Sequence, residues 1–219
     1  GKELTDDRRT SLVVDPPEGR IPDLTEAGQA RRASRREMRR RDAWSPVDRG
    51  VAERCILGFN AGPPMNPSAY NNNVQIFQAP GYVVLFNEMV HDSRIVSLDG
   101  RDHLPDEMRQ WRGDSRGRWD GDTLVVESTN FTDNTSFSGS GRAMRLVERF
   151  TRIDDGTVLY EYTVDDPDSF VSPWTVAIPM KHNDQPLFEY ACHEGNYGMT
   201  NLMESARAVD AQRAVSGAQ

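Results

Sequence analysis

Residues 70–101, YNNNVQIFQAPGYVVLFNEMVHDSRIVSLDGR, set groups able to move protons or hold a polar ligand among strand-forming Val, Ile and Phe. A strand that only packs a core alternates apolar residues with plainly solvated ones. This stretch interleaves Asn73, Asn87, Glu88, His91 and Arg94 instead. Counted along one continuous strand, His91 shares a face with Leu85 and Met89, and an imidazole kept neutral in partly apolar surroundings is a base. It is a candidate general acid/base, or else a core histidine satisfied by Asn87 or a carbonyl. Glu88 falls on the opposite face, with Arg94, where a catalytic carboxylate competes with an exterior salt bridge. Tyr70 and Asn71–Asn73 offer neutral donors suited to an oxyanion or a sugar hydroxyl.

A second cluster lies in YACHEGNYG, residues 190–198, where His193 and Glu194 sit between a strand and a helix. Loops at a barrel rim hold functional groups, although Glu194 equally suits the first turn of a helix. In WRGDSRGRWDGD, Arg116 or Arg118 presents a planar fork for a substrate carboxylate, against a plain loop-and-hairpin charge network. Glu148 and Glu161 lie on paired strand runs and are expected on solvated faces. No G-x-S-x-G elbow, P-loop, Rossmann fingerprint or HExxH occurs. The four histidines are not paired by any ligand spacing. No cofactor and no metal are indicated.

The elements that must position these groups are mostly strands. Residues 10–24 read as a short strand and a Pro/Gly turn, followed by an arginine-rich helix over 24–44 with Thr25 as N-cap. This helix lacks the aromatic face that a membrane contact needs, and a solvated surface helix is expected. From about residue 55 the pattern turns to β: 74–78 and 82–98 joined at Ala79-Pro80-Gly81, then hairpins turning at Asp120-Gly121 and Asp155-Gly156. SPWTVAIPM and PLFEYACH supply further strands, and residues 196–215 a C-terminal helix before a frayed tail. Short strands joined by Asp-Gly turns indicate an antiparallel barrel or sandwich. The chain divides into 1–54 (strand and helix of the same domain), 55–195 (β body) and 196–219 (helix and tail).

The 219 residues carry a net charge of −8, with the acidic excess after residue 54. An acidic body repels a phosphate backbone, which argues against nucleic acid as a partner. No apolar run approaches the roughly 20 residues that cross a bilayer, so no membrane insertion is expected. The chain opens on the polar GKELTDDRRT, which fits a cytosolic protein or one whose leader has been removed. Cys55 and Cys192 fit no zinc or CxxC pattern. They suit a disulfide formed in an oxidising compartment, with two buried thiols as the alternative.

RTSLVVDPPEGRIP, YNNNVQI, GDSRGRWDGDTLVVESTNF, LVERFTRIDDGTVLYEYTVDDP and YACHEGNYG together resemble a bacterial family of uncharacterised, mostly exported proteins. The likeness runs over nearly the whole chain. It implies a lipocalin-like β-barrel and export, which favours the disulfide and a periplasmic or secreted location. The Gly-x-Trp element that often opens the first strand of such barrels does not occur near this N-terminus. The resulting fold expectation is mainly β: an antiparallel lipocalin-like barrel with a basic N-terminal helix and a C-terminal helix packed outside.

Three functions follow as expectations. A cofactor-independent lyase, isomerase or hydrolase would use His91 with His193, Glu88 or Glu194 on a small organic molecule, held by Tyr70, Asn73, Asn87, Arg94 or Arg116. A lipocalin-like carrier would line its cavity with aromatic and Met side chains around an apolar or amphipathic ligand. A structural module would dock a partner or a second copy of itself through its helices.

Overall fold

The computed structural model describes residues 9–40, 45–134 and 137–216. The expected end of the first helix at 41–44 and the tail at 217–219 lie outside them. Nine strands form one mixed sheet: β1 (Val13–Asp15), β2 (Val74–Ala79), β3 (Tyr82–Asn87), β4 (Asp92–Ser97), β5 (Asp114–Asp120), β6 (Thr123–Thr129), β7 (Arg145–Asp154), β8 (Thr157–Asp165) and β9 (Trp174–Lys181). Helix α1 spans Glu26–Arg40 and α2 Tyr197–Ser216. The spatial order is β1-β9-β8-β7-β6-β5-β4-β3-β2. The terminal strands β1 and β2 do not pair with each other, so the sheet is not closed into the expected barrel.

All pairings are antiparallel except β4 with β5, which meet in parallel at a single register, Ser97↔Arg116. A parallel pair needs a long crossover, and the connection from Leu98 to Gly113 supplies it. Gly117 permits the close approach there: a Cβ at this position would lie 2.6 Å from Val96 Cγ1 and 2.7 Å from Leu98 Cδ2. The sheet is thus two antiparallel meanders, β2–β4 and β5–β9 (with β1 added), sharing one narrow seam.

The inward faces of β3 to β9 enclose one core. Leu85, Val96, Leu124, Leu146, Tyr160, Tyr162 and Trp174 fill it, and Trp174 stacks on Phe137 with ring centroids 5.7 Å apart. Thr25 caps α1, its Oγ1 accepting from Gly28 N at 3.0 Å. Gly28 lets the helix lie on the backbone of Ser169, whose carbonyl would sit 2.4 Å from an added Cβ.

Two expectations about elements are corrected. Residues 82–98 are two strands, since Glu88–His91 form a four-residue loop that reverses the chain and pairs Asn87 with Asp92. Val90 and His91 adopt left-handed φ of 61° and 42°. The reversal breaks the period-2 count, so Val83, Leu85 and Asn87 face inward together with Asp92, Arg94 and Val96. PLFEYACH forms no strand. It belongs to an irregular strap, residues 182–192, bound largely by side chains rather than by a backbone ladder.

Candidate functional site

A cleft of about 1140 Å³ opens where β2 begins, β3 ends, β8 begins and β9 ends. Its apolar side is the edge of the core: Met65, Val74, Ile76, Val158, Ile178 and Met180. Carboxamides surround it, among them Asn66, Asn72, Asn73, Gln75, Asn87 and Asn183. Ionisable side chains, Arg152, Asp155, Lys181 and His182, gather at the end formed by the β7–β8 turn and the end of β9. Apart from these the lining is neutral.

The loop before β2 forms one wall, and Asn60 holds it. Asn60 Nδ2 lies 2.9 Å from Asn71 O, 3.0 Å from Ser68 Oγ, 3.1 Å from Asn72 Oδ1 and 3.2 Å from Tyr70 O. Two core tyrosines fasten the same loop from inside: Met65 N donates to Tyr160 OH at 3.0 Å, and Tyr162 OH donates to Asn66 Oδ1 at 2.8 Å. Burial pushes both phenols above their ordinary value, and the Glu148 carboxylate adds to this. Each stays a neutral hydroxyl at any physiological pH.

Residues 182–187 of the strap form another wall. His182 N donates to Gly156 O (2.7 Å), and Asn183 Nδ2 donates to Asn73 Oδ1 (3.0 Å). Asn73 Nδ2 in turn donates to Glu88 Oε2 (2.7 Å), and Phe188 N donates to Glu88 Oε1 (3.1 Å). Cys55 and Cys192 are joined in a disulfide that anchors the far end of the strap. This bond indicates an oxidising, non-cytoplasmic compartment. Among the described residues no helix is long and apolar enough to cross a membrane.

Among the polar residues lining the cleft, Asn87 is one whose carboxamide is left uncommitted at the apolar edge, and the buried Oδ1 of Asn60 is also without a partner among the described residues. Asn87 is 8% exposed, stands at the end of β3 paired in the backbone ladder with Val74 and Asp92, and lines the cleft, while its side chain makes no hydrogen bond among the described residues. A mostly buried carboxamide normally finds a partner, and the polar atoms of Asn87 are not sealed in the protein but reach the cleft. Here the partner position is open to the cleft.

The residues singled out from the sequence fall into separate places. Asn73 and Asn87 line the cleft, and Glu88 lies buried behind Asn73 as its acceptor. Tyr70 is half exposed and packs edge-on against Phe59 at 5.6 Å; it does not line the cleft. His91 is exposed with Nδ1 3.1 Å from Tyr190 O, and His193 and Glu194 are exposed beside the disulfide. None of these three lines the cleft, and His91 does not face the core because the loop at 88–91 turns it out. Arg116 lies 3.2 Å from Asp114, whose carboxylate also meets His103 Nδ1 at 2.9 Å. That network is away from the cleft lining. Among the described residues, no group of three His, Cys, Asp or Glu could hold a metal.

Arg94 is inside, not on the exterior. It makes a bidentate pair with Glu148, at 2.5 and 2.8 Å, and Tyr160 OH donates to the same carboxylate at 2.7 Å. Glu148 is wholly buried rather than solvated. Burial opposes the charge on Arg94, but the Glu148 carboxylate outweighs it and raises the guanidinium pKa further. Behind the cleft wall there is therefore an ion pair with its hydrogen bonds satisfied, a structural anchor with no group left for a ligand. Comparison with known proteins returns no match among family models, curated proteins or solved structures.

Proposed function

We propose that the protein binds a neutral, amphipathic small molecule in the cleft at the end of the sheet. The carboxamide of Asn87, without a protein partner and open to the cleft beside the apolar edge of the core, carries this reading. Binding sites of this kind are apolar pockets with a few placed polar groups that fix orientation. Asn87 supplies one acceptor and two donors to a hydroxyl or amide on the ligand, while Val74, Ile76, Ile178 and Met180 take up its apolar part. The acid–base reading has less support, since His91, His193 and Glu194 lie outside the cleft and share no ligand position. Periplasmic or secreted residence is proposed on the disulfide together with the resemblance to an exported family.

The test uses the fluorescent probe N-phenyl-1-naphthylamine, a neutral apolar molecule with one N–H. Saturable enhancement is expected for the native protein. Asn87→Leu should weaken it at least about fivefold by removing the ligand's polar partner, and Ile178→Trp should abolish it by filling the cleft. His91→Ala and His193→Ala should bind as the native protein does. Equal affinity in all four variants would refute the assignment of the cleft.

A further inference from the structure

A second cleft, about 1060 Å³, lies between α1 and the chain at 21–24 and 138–139. Four arginines of α1 divide into two rows around it. Arg31 and Arg35 hold the helix to the body: Arg31 Nη1 donates to Ser169 Oγ (2.5 Å) and Gly139 O (3.4 Å), and Arg35 Nη2 to Asp133 O (2.8 Å) and Ser140 O (3.1 Å). With Gly28 seated on Ser169, these bonds fix the helix in rotation. Arg32 and Arg36, one residue farther along and four apart on the same face, therefore leave the helix together on the side of this cleft. Both line the cleft, both are exposed, and neither has an ion pair or hydrogen bond among the described residues. Asp23, also in the lining, pairs with neither.

The opposite wall supplies neutral donors. Ser138 and Gly139, with left-handed φ of 49° and 106°, are the central residues of a turn closed by Ser140 N donating to Phe137 O at 2.7 Å. Their own N–H groups donate to nothing among the described residues, and both residues line the cleft. Beside them Ile21, Pro22 and Phe170 give an apolar surface, with Ile21 44% exposed.

We infer that this cleft is a second binding site, for a phosphate monoester carrying an apolar substituent. Two guanidinium forks match the oxygens of a tetrahedral dianion in charge and geometry. Free backbone N–H groups complete such anion sites, and the apolar wall takes the ester's carbon portion. The site does not depend on the first cleft or on its ligand.

The probe is phenyl phosphate, titrated at low ionic strength by calorimetry. Saturable one-to-one binding is expected, weaker for inorganic phosphate and absent for benzyl alcohol. Arg32→Gln and Arg36→Gln should each weaken it about tenfold, and Arg207→Gln, on the exposed face of α2, should not. No saturable binding, or an equal loss in the Arg207 variant, would overturn the site. Vesicles distinguish the source of the phosphate. Sedimentation with phosphatidic acid, reversed by phenyl phosphate, assigns a lipid headgroup. Phenyl phosphate binding without sedimentation assigns a soluble ester. Equal sedimentation with phosphatidylglycerol, unchanged in Arg32→Gln and Arg36→Gln, shows diffuse attraction and refutes the site.

Discussion

Glu148 shows what a single buried charge demands of its neighbours. Its carboxylate accepts from both Arg94 nitrogens and from Tyr160, and nothing about it touches water. Removing one partner of such a pair strands the other, a cost of about 3–5 kcal/mol, whereas replacing both with apolar residues can be nearly neutral. Glu148→Leu and Arg94→Met should therefore each lower stability by about that amount. The double variant should recover most of the loss, a coupling that urea unfolding would measure as a double-mutant cycle. The inward position of Glu148 was readable in RLVERF, because it shares parity with Leu146 and Phe150. A preference for placing carboxylates in water hid it. Arg94 was harder, since its face depends on the reversal at 88–91, which two left-handed residues make without a glycine or proline to announce it. Asn87 was legible as an inward polar residue of β3, but that its carboxamide goes unpaired is a property of the fold.

At the scale of elements, the sequence pattern misassigned the strap 182–192 as well as the single strand expected over 82–98. PLFEYACH has strand composition, yet a strand exists only where a neighbour offers a ladder. The chain after Lys181 instead crosses to the start of β2 and bonds to Asn73 and Glu88. The hairpins at Asp120-Gly121 and Asp155-Gly156 and the cap at Thr25 were all legible, because each rests on local chemistry. Joint replacement of Cys55 and Cys192 by Ser should cost about 2–4 kcal/mol. It should also speed exchange of the Phe188 amide proton and weaken probe binding in the first cleft, with the far-ultraviolet spectrum of the sheet retained. If Phe188 keeps its protection, the hydrogen bonds to Gly156, Asn73 and Glu88 hold the strap without the disulfide, which then does not shape the cleft.

For the whole molecule, the carboxylates decide how stability responds to acid. Glu127 is held below the ordinary carboxylate range by its hydrogen bonds from Arg145, whose guanidinium is raised in turn. A depressed carboxylate adds stability that is present above its unfolded value and lost as pH falls through its folded one. Asp92 has the opposite sign: burial raises it despite Arg112, so its penalty sets in as pH rises above the unfolded value. Glu127→Gln should then reduce the fall in unfolding midpoint between pH 6 and pH 3, and an unchanged slope would show that the Arg145 pair is fully screened. Topology was the least legible level. Nothing in LDGRDHLPDEMRQWRG announces that β4 and β5 will meet in parallel, because a crossover is a global choice with no local signature. That narrow seam has a mechanical consequence. In the backbone ladder one meander is joined to the other by a single register; inside, the shared core and the Arg94–Glu148 pair hold them, and at the open edge a covalent bond and the strap's hydrogen bonds do. The molecule is a clasped cuff: the strap and its disulfide fasten the open edges that no strand pairing closes, and the first cleft lies under the clasp.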